Sequence, residues 1–133
     1  MEGTGRCDSI WEGCIDTKTN MIEWKEMEIR LKHKRSCHFS FVISNSIIIF
    51  GGSDVENDVV EIIQEDIIKS GTPSPFGLSS FNDQAILDRS GRIIITSNTY
   101  DCFIIYDFQN ETFTSYPNAK LLDTRSFYVA LIQ

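Results

Sequence analysis

Cys37-His-Phe-Ser-Phe-Val-Ile-Ser-Asn-Ser-Ile-Ile-Ile-Phe-Gly-Gly52 is the stretch on which the reading of this chain turns. Cys37, Phe39, Phe41 and Ile43 alternate with His38, Ser40 and Val42, and strict alternation marks a strand with two unequal faces. Ser44-Asn45 then supplies a tight turn. Ile47-Ile-Ile-Phe50 is an aliphatic run too short for a helix, and Gly51-Gly52 ends it. Two paired strands are therefore predicted between residues 37 and 52.

Working outward, the same order returns. Ala85 and Leu87 share one face, Arg89-Ser-Gly91 is a turn, and Arg92-Ile-Ile-Ile-Thr96 is a second strand; Phe39 and Ala85 are 46 residues apart. The pattern begins again at Arg125-Ser-Phe-Tyr-Val-Ala-Leu-Ile132, where Val129 and Leu131 lie 44 residues beyond Ala85 and Leu87. Arg125-Ser126 also repeats Arg35-Ser36 at a shift of 90. Starts at one period mean a repeat architecture. The other half of the unit is visible as Cys14-Ile-Asp-Thr-Lys-Thr-Asn20 leading to Trp24, and as Ile105-Tyr-Asp-Phe-Gln-Asn110 leading to Phe113. Asp16 and Asp107 are 91 residues apart, two periods. One unit is thus four short strands joined by turns, the form of a propeller blade.

At these residues the chain resembles the kelch repeat, whose pattern is four hydrophobic residues, a Gly-Gly pair, then a Tyr and a Trp with six residues between them. Ile47 to Phe50 with Gly51-Gly52 matches the first part. Tyr106 and Phe113 match the second in spacing, with Phe in place of Trp, and Asp16 to Asn20 before Trp24 is similar to the turn between the outer two strands. The second blade has Thr96-Ser97 where the glycine pair stands. In physical terms the glycines let the backbone turn sharply or pack closely at a strand end, and the aromatic pair fills the gap between neighbouring sheets. A WD-repeat propeller has a similar period, but neither a Gly-His nor a Trp-Asp pair occurs.

The expected fold class is all-β, an incomplete kelch-type propeller of four-stranded antiparallel blades. Its units are the outer half of a blade (1–34), two blades (35–79 and 80–124) and the first strand of another (125–133). Closed propellers need at least about four blades. The expectation is therefore a piece of a longer protein, a shortened product, or a subunit that associates with copies of itself. Phe39, Phe41, Val129 and Leu131 are expected on uncovered sheet faces.

Composition fits a folded domain. Of 133 residues, 41% are hydrophobic and 23% charged, far from the signature of disorder. The formal charge is −7. Residues 1–35 are balanced, so the whole excess lies in the remainder, which argues against nucleic-acid and membrane partners. Arg30-Leu-Lys-His-Lys-Arg35 alone runs the other way, and reads as a polar connection between blades. Four cysteines at unrelated spacings suit reduced thiols, and no signal-peptide pattern opens the chain, which predicts a cytoplasmic location.

No chemical motif stands out. His33, Cys37 and His38 have ligand chemistry but the wrong spacing for zinc, and His38 reads as a half-buried strand histidine. Asp54-Val-Glu-Asn-Asp58 lacks the glycine and final glutamate of a calcium loop. Asn110-Glu-Thr112 is a glycosylation sequon, relevant only in a secretory compartment. No nucleophile motif is present, so neither catalysis nor a cofactor is expected.

The resemblance implies a protein-binding scaffold or substrate adaptor; the alternative is a fragment of an extracellular or galactose-oxidase-like propeller with its catalytic residues elsewhere. In a blade, the loops joining strands two and three and the connections between blades open on one face. Asp54, Tyr100 and Asp101 belong to those loops. Arg35 and Arg125 are expected where connections enter innermost strands. There they would either face an acidic peptide or loop of a protein partner together, or bond backbone carbonyls at the blade junction.

Overall fold

A computed structural model describes residues 7–53 and 59–118; Asp54, Arg125, Val129, Leu131 and the 125–133 unit lie outside these. Ten strands run in chain order: β1 (Cys7–Asp16), β2 (Met21–Arg35), β3 (Phe39–Ile43), β4 (Ser46–Phe50), β5 (Glu61–Gln64), β6 (Ile67–Ser70), β7 (Asp83–Leu87), β8 (Arg92–Ser97), β9 (Cys102–Asp107) and β10 (Thr112–Tyr116). They form three antiparallel sheets: the hairpin β1-β2, a middle sheet β3-β4-β5-β6 and a last sheet β7-β8-β9-β10. The chain is all-β among the described residues, and both four-stranded sheets are simple meanders.

Turn chemistry explains the meanders. Ser44 and Asn45 have φ of 49° and 63°, the left-handed pair that matches a two-residue hairpin to the twist of its strands. Asp16, Asp88 and Asp107 each hold a turn by accepting a backbone N–H two residues on: from Lys18 at 2.9 Å, Ser90 at 2.8 Å and Gln109 at 3.0 Å. Both 37–52 and 83–98 contain paired antiparallel strands, as the repeat requires. The first of these starts at Phe39 rather than Cys37, whose φ of 54° takes it out of the strand together with the exposed His38.

The middle sheet is covered on both sides. On one face Phe39, Ile48, Phe50 and Ile62 meet Ile93, Ile95, Ile104 and Tyr106 of the last sheet in a single core. Phe50 is its hub, with ring centroids 5.3 Å from Phe39, 6.4 Å from Phe41, 6.1 Å from Tyr106 and 5.9 Å from Phe113. Tyr106 and Phe113, opposed in the β9-β10 register with centroids 4.5 Å apart, therefore fill the gap between neighbouring sheets. On the other face, Leu31 of the hairpin packs against Ile49 and Ile63, flanked by Ile10, Ile29 and Ile68.

Two expectations are corrected here. Arg30–Arg35 is not a connection: β2 continues to Arg35, because Ile29, Leu31, His33 and Arg35 keep the alternation that turns one face inward. Phe39 and Phe41 do not lie on an uncovered face, since Phe39 is buried and Phe41 half-buried against the aromatic core.

Tyr106 is fully buried, and its hydroxyl finds no partner among the described residues. Burial first, then the charges of Glu111 and Asp107, push its pKa up to about 12. The folded form therefore holds a proton that an unfolded tyrosine releases near pH 10. Stability is expected to be fully present below about pH 10 and to fall as pH rises toward about 12. Tyr106→Phe removes an unpaired buried hydroxyl, so it should raise stability by roughly 1 kcal/mol and move the alkaline unfolding midpoint upward. Urea titrations at pH 7 and pH 11 measure both effects.

Candidate functional site: the loop end of the sheets

The Gly51-Gly52 pair closes one end of the middle sheet. Gly51 has φ of 73°, and a Cβ there would stand 2.5 Å from the Leu78 carbonyl oxygen; Gly52 has φ of 136° and a Cβ would meet the Ser36 carbonyl oxygen at 3.0 Å. These are backbone obstacles, so only glycine lets the end of β4 lie against both connections. The approach is fixed by Gly52 N–H donating to Leu78 O at 2.9 Å and Ser53 N–H donating to Ser36 O at 3.0 Å. Ser80 N–H reaches Cys37 O at 2.9 Å. The β8-β9 loop joins the group through Tyr100, whose hydroxyl accepts the Gly77 N–H at 2.9 Å and whose ring meets Phe76 edge-on at 5.2 Å.

The inter-sheet connections, the β8-β9 loop and the described ends of the β4-β5 loop thus form one surface at one end of the stacked sheets. Buried Asp83 supports it from below: it accepts Ser97 Oγ–H at 2.8 Å and Ser79 N–H at 3.1 Å, and Ser97 Oγ in turn accepts Tyr100 N–H at 3.2 Å. Thr96-Ser97, in the place of the second glycine pair, therefore holds its loop by side-chain hydrogen bonds. Phe81 is 64% exposed and Tyr100 42% exposed on this surface. Asp101, at φ 50°, and Asn98 each carry a buried side-chain oxygen without a partner among the described residues.

Arg35 belongs to this end but does not face out of it. Its side chain is 3% exposed and that of Glu61 is fully buried; Arg35 Nη2 lies 3.0 Å from Glu61 Oε2. Nε also donates to Glu61 Oε2 at 3.1 Å, Nη1 to Gly51 O at 2.9 Å and Nη2 to Val59 O at 2.7 Å. The second carboxylate oxygen of Glu61 accepts the Lys32 N–H. The guanidinium thus ties β2 to β5 and grips both stems of the β4-β5 loop. Of the two roles open to it from sequence, Arg35 has the structural one, and the partner-facing role is corrected for this residue. Trp24 stands apart from the loop end, on the hairpin opposite Gly13 and 63% exposed.

Sequence reasoning missed Glu61, Asp83 and Phe81. Glu61 had a signal: a lone carboxylate inside Val59-Val-Glu-Ile-Ile63 must be paired if that run is buried. At the opposite end of the sheets an open cleft of about 710 Å³ lies between Ile43, Ser90, Arg92 and Asp107. There Arg92 is already bound to Asp88 at 2.9 Å, and the Ser90 hydroxyl, followed by Arg92 and Ser90 N–H groups, holds the Asp88 carboxyl down to about 2. Among the described residues no group of three or more His, Cys, Asp or Glu side chains is placed to hold a metal ion, and no helix is long and apolar enough to cross a membrane. No protein-family model matches the chain, and no curated protein matches it in sequence.

Proposed function

We propose that this chain is part of a kelch-type propeller and binds a protein partner through the loop end of its sheets, without catalysing a reaction. The observation that carries the reading is the convergence of connections and loops at one end of stacked four-stranded meanders, with exposed Phe81 and Tyr100 among them. Loops held by a rigid sheet stack are where binding concentrates, and exposed aromatics are the side chains that most often anchor a protein interface.

With Arg35 neutralised by Glu61, an acidic ligand loses one of the two arginines expected to receive it. The Asp101 and Asn98 side-chain oxygens without a partner among the described residues are buried, so what this end offers is the exposed rings of Phe81 and Tyr100, which suit a partner segment with an apolar side chain. Such a segment would lay its apolar group on Phe81 and Tyr100.

Replacing Phe81 and Tyr100 together by alanine is expected to weaken partner binding more than ten-fold, about 1.4 kcal/mol or more. Replacing Ser44 and Gln109 at the opposite end should leave affinity within a factor of two. Binding measured calorimetrically for both variants checks this. Equal loss from the two ends, or loss only from the second, would remove the loop end as the binding surface.

A further inference from the structure

We propose that Thr72 is a phosphorylation site for a proline-directed protein kinase, and that the fold withholds Ser74, which carries the same sequence signal two residues on. The proposal concerns the connection between β6 and β7 and stands independently of what the loop end binds.

Proline has no backbone N–H, so a kinase whose substrate cleft offers no acceptor just after the target hydroxyl selects proline there. The chain has three prolines, and two of them follow a serine or threonine, as Thr72-Pro73 and Ser74-Pro75. Pro117 follows Tyr116. Both pairs lie in the connection after β6, where residues 71–74 belong to no strand. Each proline also turns the residue before it away from helical geometry toward extended backbone, the form in which a kinase cleft takes a substrate. Gly71 N–H donates to the Val60 carbonyl oxygen at 2.8 Å and Thr72 N–H to Glu111 Oε1 at 3.3 Å. The start of the connection is thus placed through its backbone, and Thr72 stays exposed.

Ser74 has the signal without the access. It is 4% exposed, its hydroxyl donates to the Phe76 carbonyl oxygen at 2.8 Å, and its Oγ accepts the Phe76 N–H at 3.0 Å. The next two residues are held in turn by Tyr100, whose ring meets Phe76 and whose hydroxyl accepts the Gly77 N–H. To offer Ser74 to an enzyme the chain would have to break both Ser74 bonds and lift the connection from Tyr100. Thr72 requires no such opening.

In the reaction Thr72 Oγ1 attacks the γ-phosphorus of ATP, the bond from that phosphorus to the ADP oxygen breaks, and the hydroxyl proton passes to the catalytic carboxylate of the kinase. The phosphate formed carries about −1.5 to −2 charge near pH 7. It stands beside Glu111, whose Oε1 accepts the Thr72 N–H and lies 3.2 Å from where a Cβ on Gly71 would be. Like charges at this separation repel, so the phosphorylated connection loses its hold on the turn between β9 and β10.

The folded chain should be incubated with a purified proline-directed kinase, magnesium and ATP, and the product read by intact mass and peptide mapping. One phosphoryl group is expected, on Thr72; Thr72→Val should abolish it and Ser74→Ala should leave it unchanged. A chain digested before the kinase is added should take phosphate at Ser74 as well, because nothing then hides that hydroxyl. Phosphorylation should also lower the urea midpoint of the wild type and move that of Glu111→Gln less. Phosphate on Ser74 of the folded chain, or none on Thr72, would overturn the proposal. Selectivity for Thr72 that persists after digestion would belong to the kinase's own sequence preference and would overturn the role given to the fold. Equal midpoint shifts with and without the Glu111 carboxylate would overturn the repulsion.

Discussion

Arg35→Ala should cost about 3–5 kcal/mol of folding stability, because it leaves the fully buried Glu61 carboxylate without its cation. The loss is compounded by the Gly51 and Val59 carbonyl oxygens, which lose their donor. Whole-domain stabilities of about 5–15 kcal/mol make this a change that chemical denaturation reads directly. Arg35→Lys should recover only part of it, since an ammonium cannot reproduce a fork that serves one carboxylate and two carbonyls on different segments. Arg35→Met combined with Glu61→Leu should be milder than either single alanine variant, the buried charges being removed together. At concentrations where Arg35→Ala is folded, affinity for a partner should be unchanged. Weakened binding at wild-type stability would return Arg35 to the surface role that its burial denies it.

Phe50→Ala is expected to be of the same order, about 3–5 kcal/mol, for a different reason. The ring touches Phe39 and Phe41 in its own sheet and Tyr106 and Phe113 in the next, so its loss opens a cavity at the seam between two sheets. Neither sheet can collapse into that cavity without giving up the other. Phe50→Leu, which keeps most of the volume, should cost roughly 1.5 kcal/mol or less. A double-mutant cycle between Phe50 and Phe113 should show coupling of about 0.5–1.5 kcal/mol, and urea unfolding measures both variants and the cycle. Additive effects would mean that the two sheets do not share this seam.

Much of the architecture is legible in the sequence because strands and turns write locally. Phe39, Phe41 and Ile43 alternate with small or polar residues, Ser44-Asn45 is a two-residue turn, and Gly51-Gly52 marks a strand end. The β5-β6 hairpin is nearly silent: its turn is Glu65-Asp66, with Glu65 at φ 54°, and glutamate is not a residue that announces a left-handed turn. The inward direction of Arg35 is a matter of parity. Counting by two from Ile29 and Leu31 reaches it, but the basic run around it reads as solvent-facing unless that alternation is followed to its end. Burial of the Glu61 partner is a tertiary fact, since the two residues are 26 positions apart. The exposure of Phe81 depends on how the β6-β7 connection folds back on Gly52 and Cys37, and no local pattern encodes that.

The most direct test of the account is a photo-crosslinking residue placed in turn at Phe81 and at Gln109 in the protein as made by its own cells. The account predicts adducts with a distinct protein partner from position 81 and none from position 109 at the opposite end of the sheets. A distinct partner captured only from position 109, or a nucleic acid captured from position 81, would contradict the assignment of the loop end as a protein-binding surface.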